Sequence, residues 1–251
     1  MRVENSFIPV RGVGEQTERK LWQRGVRTWD DFDGSVPGPA SADDIYEFIT
    51  TGRARLDEGE TRFFADAFPA GSHWRLYENF RADTCFLDIE TTGLNQSRDD
   101  VTVVSCHRAG ETKTFVRGRD LHAERLRREL DDAGVLVTFN GKRFDVPFLE
   151  SAFDLSVEAP HVDLMYPCRR LDLTGGLKTI EREVGIDRDR PDLSGEDAVR
   201  LWREYQRGDE SALETLVSYN RDDTANLRTL MELVANRLEP DPLATTAPRE
   251  E

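Results

Sequence analysis

The chain has 251 residues, 33% of them charged and 37% hydrophobic, with a formal net charge of -15 at pH 7. That length allows one large domain or a domain with an appendage. No stretch approaches the roughly 18 apolar residues of a membrane span, and the start, MRVENSFIPV, has no signal-peptide core, so a soluble, cytoplasmic protein is expected.

Three cysteines, Cys85, Cys106 and Cys168, are odd in number and far apart, which argues against a disulfide framework or a zinc cluster and for buried, reduced thiols. Only four lysines stand among the 34 Lys plus Arg, against 49 Asp plus Glu. This balance resembles proteins of salt-loving cells, in which surface carboxylates hold hydration and salt screens their repulsion. On a halophilic reading, net charge no longer argues against a nucleic-acid partner, and local charge decides.

The first 29 residues carry six basic and three acidic side chains, a basic head on an acidic protein. Pro9-Val10-Arg11-Gly12-Val13-Gly14 reads as a glycine turn, and Glu15 to Arg24 as a helix ending at Gly25 in the C-cap position. This stretch resembles the helix-hairpin-helix family, although Met1 to Ile8 leave room for at most a short first helix. The resemblance implies that Gly12 and Gly14 let backbone N–H groups approach a phosphate, with Arg11 and Lys20 supporting them. A small helical cap on the main domain is the alternative.

Residues 34–80 read as a linker and docking helices. Asp33 to Ala40 is rich in Gly and Pro, Ser41 is a good N-cap, and Ala42 to Leu56 and Glu58 to Phe68 are two amphipathic helices. His73 to Tyr77 alternates as a short strand would.

From Arg81 the pattern becomes that of an α/β domain, expected over 81–238. Thr84–Ile89, Val101–His107 and Lys113–Val116 read as an antiparallel meander joined by short turns. A helix over Leu121–Asp132, a strand over Val135–Phe139, a helix over Val146–Phe153 and a strand over His161–Met165 follow, so the later strands are expected parallel to the first. Leu177–Val184, Gly195–Gln206 and Ser211–Leu238 are helical, and the tail, 239–251, is expected to be disordered.

Three stretches carry chemistry. In FLDIETTGL, alternation along a strand puts Asp88 and Glu90 on one face, with Leu87 and Ile89 on the other. Like charges held side by side are tolerable mainly with a cation between them. In NGKRFD, Asp145 sits at a helix start, where the dipole favours an anion. In YNRDD, Tyr219 and Asp223 lie four residues apart on one helix face, whereas Asp222 is turned about 100° from Asp223.

D-x-E, N-x3-F-D and Y-x3-D, in this order, resemble the three motifs of the DEDDy group of 3′-5′ exonucleases, which has the ribonuclease H-like fold. HVDLMYPCRRL and GLKTIEREVGI point to its YprB-like branch. The resemblance implies a mixed five-stranded sheet flanked by helices, with strands 1–3 antiparallel and strands 4 and 5 parallel to strand 1. It also implies two Mg²⁺ or Mn²⁺ ions held by Asp88, Glu90, Asp145 and Asp223, a choice the hard oxygen donors support.

By the same resemblance Tyr219 orients the attacking water; a phenol with an unperturbed pKa near 10 suits positioning better than proton abstraction. Leu94 and the Thr91-Thr92 backbone would border the terminal nucleotide, beside Asn140 of the second motif. Lys142, Arg143 and Lys178 are candidates to meet phosphates, with a solvated face as the alternative.

Asp163 reads as a cap in preference to an acid supporting the ligands, His161 as a core histidine holding a backbone carbonyl, and Arg169-Arg170 as surface charges. The expected function is 3′ trimming of single-stranded or frayed nucleic acid, with DNA favoured over RNA. A binding module without turnover and a structure-specific endonuclease are the alternatives.

Overall fold

A computed structural model of the chain describes residues 1–239. The expected tail therefore lies outside the described residues, apart from Glu239. Among the described residues two compact units are present, Met1–Asn79 with 235–239, and Phe80–Val234.

The first unit holds α1 (Glu15–Gln23), α2 (Ala42–Asp57) and α3 (Thr61–Ala67). Only a 3-10 turn, Val3–Asn5, precedes the glycine turn, in which Gly12 has φ 86°. The end of α1 is set by Gly25 at φ 94°. Its N–H donates to Trp22 O and that of Val26 to Leu21 O, which satisfies two carbonyls the helix would leave open. Ser41 Oγ accepts from the N–H groups of Asp43 and Asp44 and starts α2. Within α2, a Cβ at Gly52 would lie 2.7 Å from the Trp29 ring, so glycine's low helix propensity is accepted for that close approach.

A buried polar network ties this unit together. Glu18 Oε1 accepts from Ser6 Oγ (2.6 Å) and Phe7 N (2.7 Å), and Arg75 donates to Glu18 Oε2 and Ser6 Oγ, each at 2.7 Å. The Glu18 and Arg75 side chains are 1% and 3% exposed. The strand expected over His73–Tyr77 is instead part of a 3-10 segment, Ala70–Leu76. The alternation misleads because Arg75, read as an outward polar residue, is itself buried by its ion pair, so both parities face inward.

The second unit is built on a sheet of five strands: β1 (Thr84–Thr91), β2 (Val101–Arg108), β3 (Glu111–Val116), then β4 (Val135–Thr138) and β5 (His161–Asp163). Their spatial order is β3-β2-β1-β4-β5; β2 runs antiparallel to both β1 and β3, while β4 and β5 are parallel to β1, as expected. Between β3 and β4 lies α4 (Ala123–Asp131), and between β4 and β5 lies α5 (Asp145–Phe153). Beyond β5 come α6 (Met165–Arg170), α7 (Leu177–Val184), α8 (Gly195–Gln206) and the 29-residue α9 (Glu210–Leu238).

Each sheet face has its own core. Cys85, Leu87 and Ile89 of β1 join Leu126 and Leu130 of α4 and Phe148 and Leu149 of α5. On the opposite face, Val103 and Val116 pack with Leu201 and Trp202 of α8 and with Leu213, Leu216 and Tyr219 of α9. Register is regular from Phe86↔His107 to Glu90↔Val103 and then slips to Thr91↔Val101. The extra residue, Thr102, lets Val101 and Val103 serve opposite cores, which two residues of one parity do not do in a regular strand.

Several boundaries shift by one to three residues, and two of them bear on the acidic residues. The strand expected to run to Met165 stops at Asp163, whose Oδ1 accepts from Met165 N at 3.1 Å in a turn that leads into α6. Helix α5 begins at Asp145 itself, one residue early. All three cysteines are buried and free.

Candidate metal centre and its surroundings

On β1, Asp88 and Glu90 extend from the face opposite Leu87 and Ile89, Glu90 directly beside Val103. Helix α9 packs over this face through Leu213, Leu216 and Tyr219, so its next turns bring Asn220 and Asp223 to the two acids. Carboxylate oxygens of Asp88, Glu90 and Asp223 lie within 4.8 Å of one another, and Glu90 and Asp223 are buried. Asn220 Nδ2 donates to Asp88 Oδ2 at 2.6 Å. Asn220 was not anticipated, although its position three residues before Asp223 puts it on the same helix face.

Asp145 stands outside that trio but feels it. Burial, and next the charge of Asp88, hold its carboxyl well above the usual range. The loop that delivers it is shaped by Asn140 at φ 63° and by Gly141, where a Cβ would stand 2.2 Å from Thr138 Oγ1. Asp163 fixes the same loop, accepting from Asn140 N (2.7 Å) and Lys142 N (3.1 Å). It thus ties this turn to the entry of α6 through backbone N–H groups. His161 Nε2 is 2.8 Å from Thr138 Oγ1, so its partner is a hydroxyl rather than the expected carbonyl, and burial pushes its pKa down to about 3.

The electrostatics follow from packing acids together out of water. Burial raises Asp88 to about 7, against the opposing pull of Asn220 and Arg188. Burial and then Asp88 and Asp145 raise Glu90 well above its ordinary value. Burial, Glu90 and Asp88 likewise raise Tyr219, which keeps its phenolic proton. Asp222 faces different neighbours: burial and then Asp189 raise it.

Two cations press on Tyr219. Lys178 Nζ is 4.5 Å from its ring centroid and has no hydrogen-bond partner, and burial lowers its pKa. Arg188 Cζ is 5.6 Å from the same ring, and its guanidinium pairs with both Glu181 and Asp223. Neither Glu181 nor Arg188 was anticipated. Glu181 shares a face of α7 with Lys178, three residues earlier, which is a readable signal. Arg188 lies beyond Gly185, where no periodicity guides the eye.

Of the remaining expected residues, Thr91 is buried at the end of β1 and the others are on the surface or in turns. Leu94 is 85% exposed. Thr91 Oγ1 donates to Gly93 O, while Thr92 N donates to Asp100 O, so that N–H is already used. Lys142 and Arg143 are exposed, and Lys142 Nζ is 6.0 Å from the ring of Tyr166, itself exposed on α6. Arg169 and Arg170 are exposed. In the first unit, Arg11, Gly12, Gly14 and Lys20 are all exposed.

The donor set fits hard divalent cations. Asp88, Glu90 and Asp223 offer oxygen ligands only, Asp145 lies near enough for Asp88 to raise it, and burial, with these acids for neighbours, holds protons on carboxyls that such cations would displace.

Residues 85–235 match the family model described as the RNase_H superfamily. Among solved structures, the chain is similar to an apo form of a nuclease at 20% identity and TM-score 0.47, covering 63% of this chain and 74% of that one. It is similar to the family B DNA polymerase of the hyperthermophilic archaeon Pyrobaculum calidifontis at 22% identity and TM-score 0.49, over 62% of this chain but only 24% of the polymerase. Brucella melitensis NrnC bound to pGG is similar at 21% identity and TM-score 0.36, over 68% and 94%. No curated protein matches the sequence.

Proposed function

This chain belongs to the RNase_H superfamily, and from that premise we propose that it is a metal-dependent 3′-5′ exonuclease of the DEDDy type, nearest the YprB-like branch. Its substrate is the 3′ end of single-stranded or frayed nucleic acid, with DNA favoured. The observation that carries this reading is the convergence of Asp88, Glu90 and Asp223, from a strand and a distant helix, within 4.8 Å of one another.

Asp88, Glu90, Asp145 and Asp223 would hold Mg²⁺ or Mn²⁺, which would supply charge neutralisation at phosphoryl oxygens and make water easier to deprotonate. Asn220 fixes one oxygen of Asp88 and leaves the other for a ligand. Tyr219 keeps its proton and so serves to orient a water rather than to deprotonate it. Lys178, whose buried ammonium makes no hydrogen bond among the described residues, is the candidate beside Tyr219 to meet a phosphate oxygen when substrate enters. Exposed Tyr166 beside Lys142 supports a single strand as substrate, since a base stacks on an aromatic ring while a cation meets the backbone.

A 5′-labelled strand with Mn²⁺ at high salt tests the reading. A descending ladder is expected; one internal cut would assign an endonuclease, and a mobility shift without cleavage a binding module. Tyr219→Phe removes only the hydroxyl, and we expect turnover to fall about 100-fold with Mn²⁺ affinity unchanged. A rate equal to the parent's would move the water-orienting role elsewhere.

The basic head is proposed to tether longer strands. Reversing Arg11 and Lys20 to Glu should weaken binding of long strands about tenfold at low salt and leave hydrolysis of short ones unchanged; equal binding of long strands would remove the head from recognition. The acid excess with arginine in place of lysine supports a salt-rich working medium, and complete retention of fold after dialysis into low salt would contradict it.

A further inference from the structure

Arg188 is an unusual tenant for a site meant to attract cations. Its side chain is 6% exposed and pairs with two buried acids: one terminal nitrogen donates to Glu181, and the other lies against Asp223 as an ion pair without a hydrogen bond. Asp223 is the α9 member of the trio whose oxygens lie within 4.8 Å of one another, so the guanidinium and a divalent cation seek lone pairs of the same carboxylate. A guanidinium does not lose its charge within any working pH range, so only movement can free Asp223.

Glu181 supplies a place to move to. Its side chain is fully buried; Oε2 accepts from Arg188, while Oε1 is buried with no hydrogen-bond partner. A carboxylate offers two parallel acceptors to the two nitrogens of a guanidinium, and here one of the two is unused. Rotating the fork from Asp223 onto Glu181 Oε1 would satisfy that oxygen and release Asp223 in one motion. Glu181 is anchored for this role on α7, where its own carbonyl accepts from Ile186 N at 2.8 Å beyond the Gly185 cap.

We propose that Arg188 is a positioning residue that alternates between two acids: it bridges Glu181 and Asp223 in the metal-free protein, and pairs with Glu181 alone when Asp223 takes a divalent cation. The proposal rests on the reading of Asp223 as a metal ligand. Glu181 sets the balance between the two positions, so the two residues affect cation affinity with opposite sign. Removing the charge of Glu181 confines the guanidinium to Asp223 and weakens cation binding. Removing the guanidinium leaves Asp223 open and strengthens it.

The test is Mn²⁺ binding to the full chain without nucleic acid, followed by electron paramagnetic resonance of free Mn²⁺ at a fixed pH of about 7.5, where most carboxylates are ionised. Glu181→Gln should weaken binding about 5-fold. Arg188→Gln should tighten it about 10-fold, and Arg188→Lys, which keeps a charge without the fork, should fall between it and the parent. Because Arg188→Gln strands Glu181 as a buried charge, the double variant Glu181→Gln with Arg188→Gln is measured beside it, with circular dichroism to verify folding; it too should bind more tightly than the parent.

A double variant no tighter than the parent, or a Glu181→Gln affinity at or above the parent's, overturns the proposal. Both single variants weakened alike would mark the pair as structural scaffolding and overturn it too. A parent that binds no Mn²⁺ overturns the reading of the metal centre and this proposal with it, whereas a parent that binds with affinities unmoved by these variants overturns the proposal alone.

Discussion

Asp88→Asn is expected to lower strand cleavage by about 10³-fold or more, and at the same time to raise the melting temperature of the metal-free protein at pH 8. The two effects share a cause. Burial moves the Asp88 carboxyl from 3.8 to about 7, so the folded protein keeps a proton that the unfolded chain releases near pH 4. Its contribution to stability is full below about pH 4 and is lost as pH rises through about 7.

Above that pH the native state carries an unfavourable charge that asparagine never acquires. A displacement of this size corresponds to at most about 4 kcal/mol. Asp88 is only half-buried, so on the order of 2 kcal/mol is the realistic gain, or roughly 4–8 °C for a domain of this size. Melting curves at pH 4 and pH 8, with and without Mg²⁺, provide the check. The variant should gain only at pH 8, and Mg²⁺ should stabilise the parent far more than the variant. Marked loss of stability at pH 8 would identify Asp88 as a structural acid.

The largest expected loss of stability lies in the other unit. Glu18→Ala leaves the Arg75 guanidinium, 3% exposed, without its carboxylate, and also strips an acceptor from Ser6 Oγ and Phe7 N. Removing one partner of a buried pair typically costs about 3–5 kcal/mol, chiefly through the uncompensated charge that remains. Urea denaturation should show a midpoint shift of that order, and adding Arg75→Met to Glu18→Ala should recover much of it. An exposed pair such as Arg53–Asp30 should cost less than about 1 kcal/mol when broken. The network also dictates how the basic head is tested: deleting it would remove Glu18 and unfold what surrounds Arg75, whereas reversing the exposed Arg11 and Lys20 leaves that core untouched.

Much of the sheet and its acids could be read in the sequence because both obey short periods. Alternation along β1 places Asp88 with Glu90, and a four-residue step along α9 places Tyr219 with Asp223; neither depends on distant residues. Asn220 was within reach of the same rule and was missed because an asparagine beside two aspartates draws little notice. Arg188 was beyond reach, since its position follows from a loop after Gly185 that no pattern describes. His73–Tyr77 failed in the opposite way: its alternation was real, but a buried Arg75 gave it a meaning that hydropathy does not encode.

Strand β2 supplies none of the acids of the proposed metal centre, yet the spare residue Thr102 marks where the β1–β2 register slips just after Glu90. Thr102 is fully buried, and its carbonyl accepts from Arg117 N at 2.8 Å, so the irregularity is held in place and not merely tolerated. Deleting Thr102 would let the ladder continue in step and turn Val101 onto the face of Val103, taking apolar volume from one core and crowding the other. The address of the site is thus written partly as a count of residues in a neighbouring strand. When relatives of this chain are aligned, a single gap in β2 would mark a displaced acidic pair even where every carboxylate is retained.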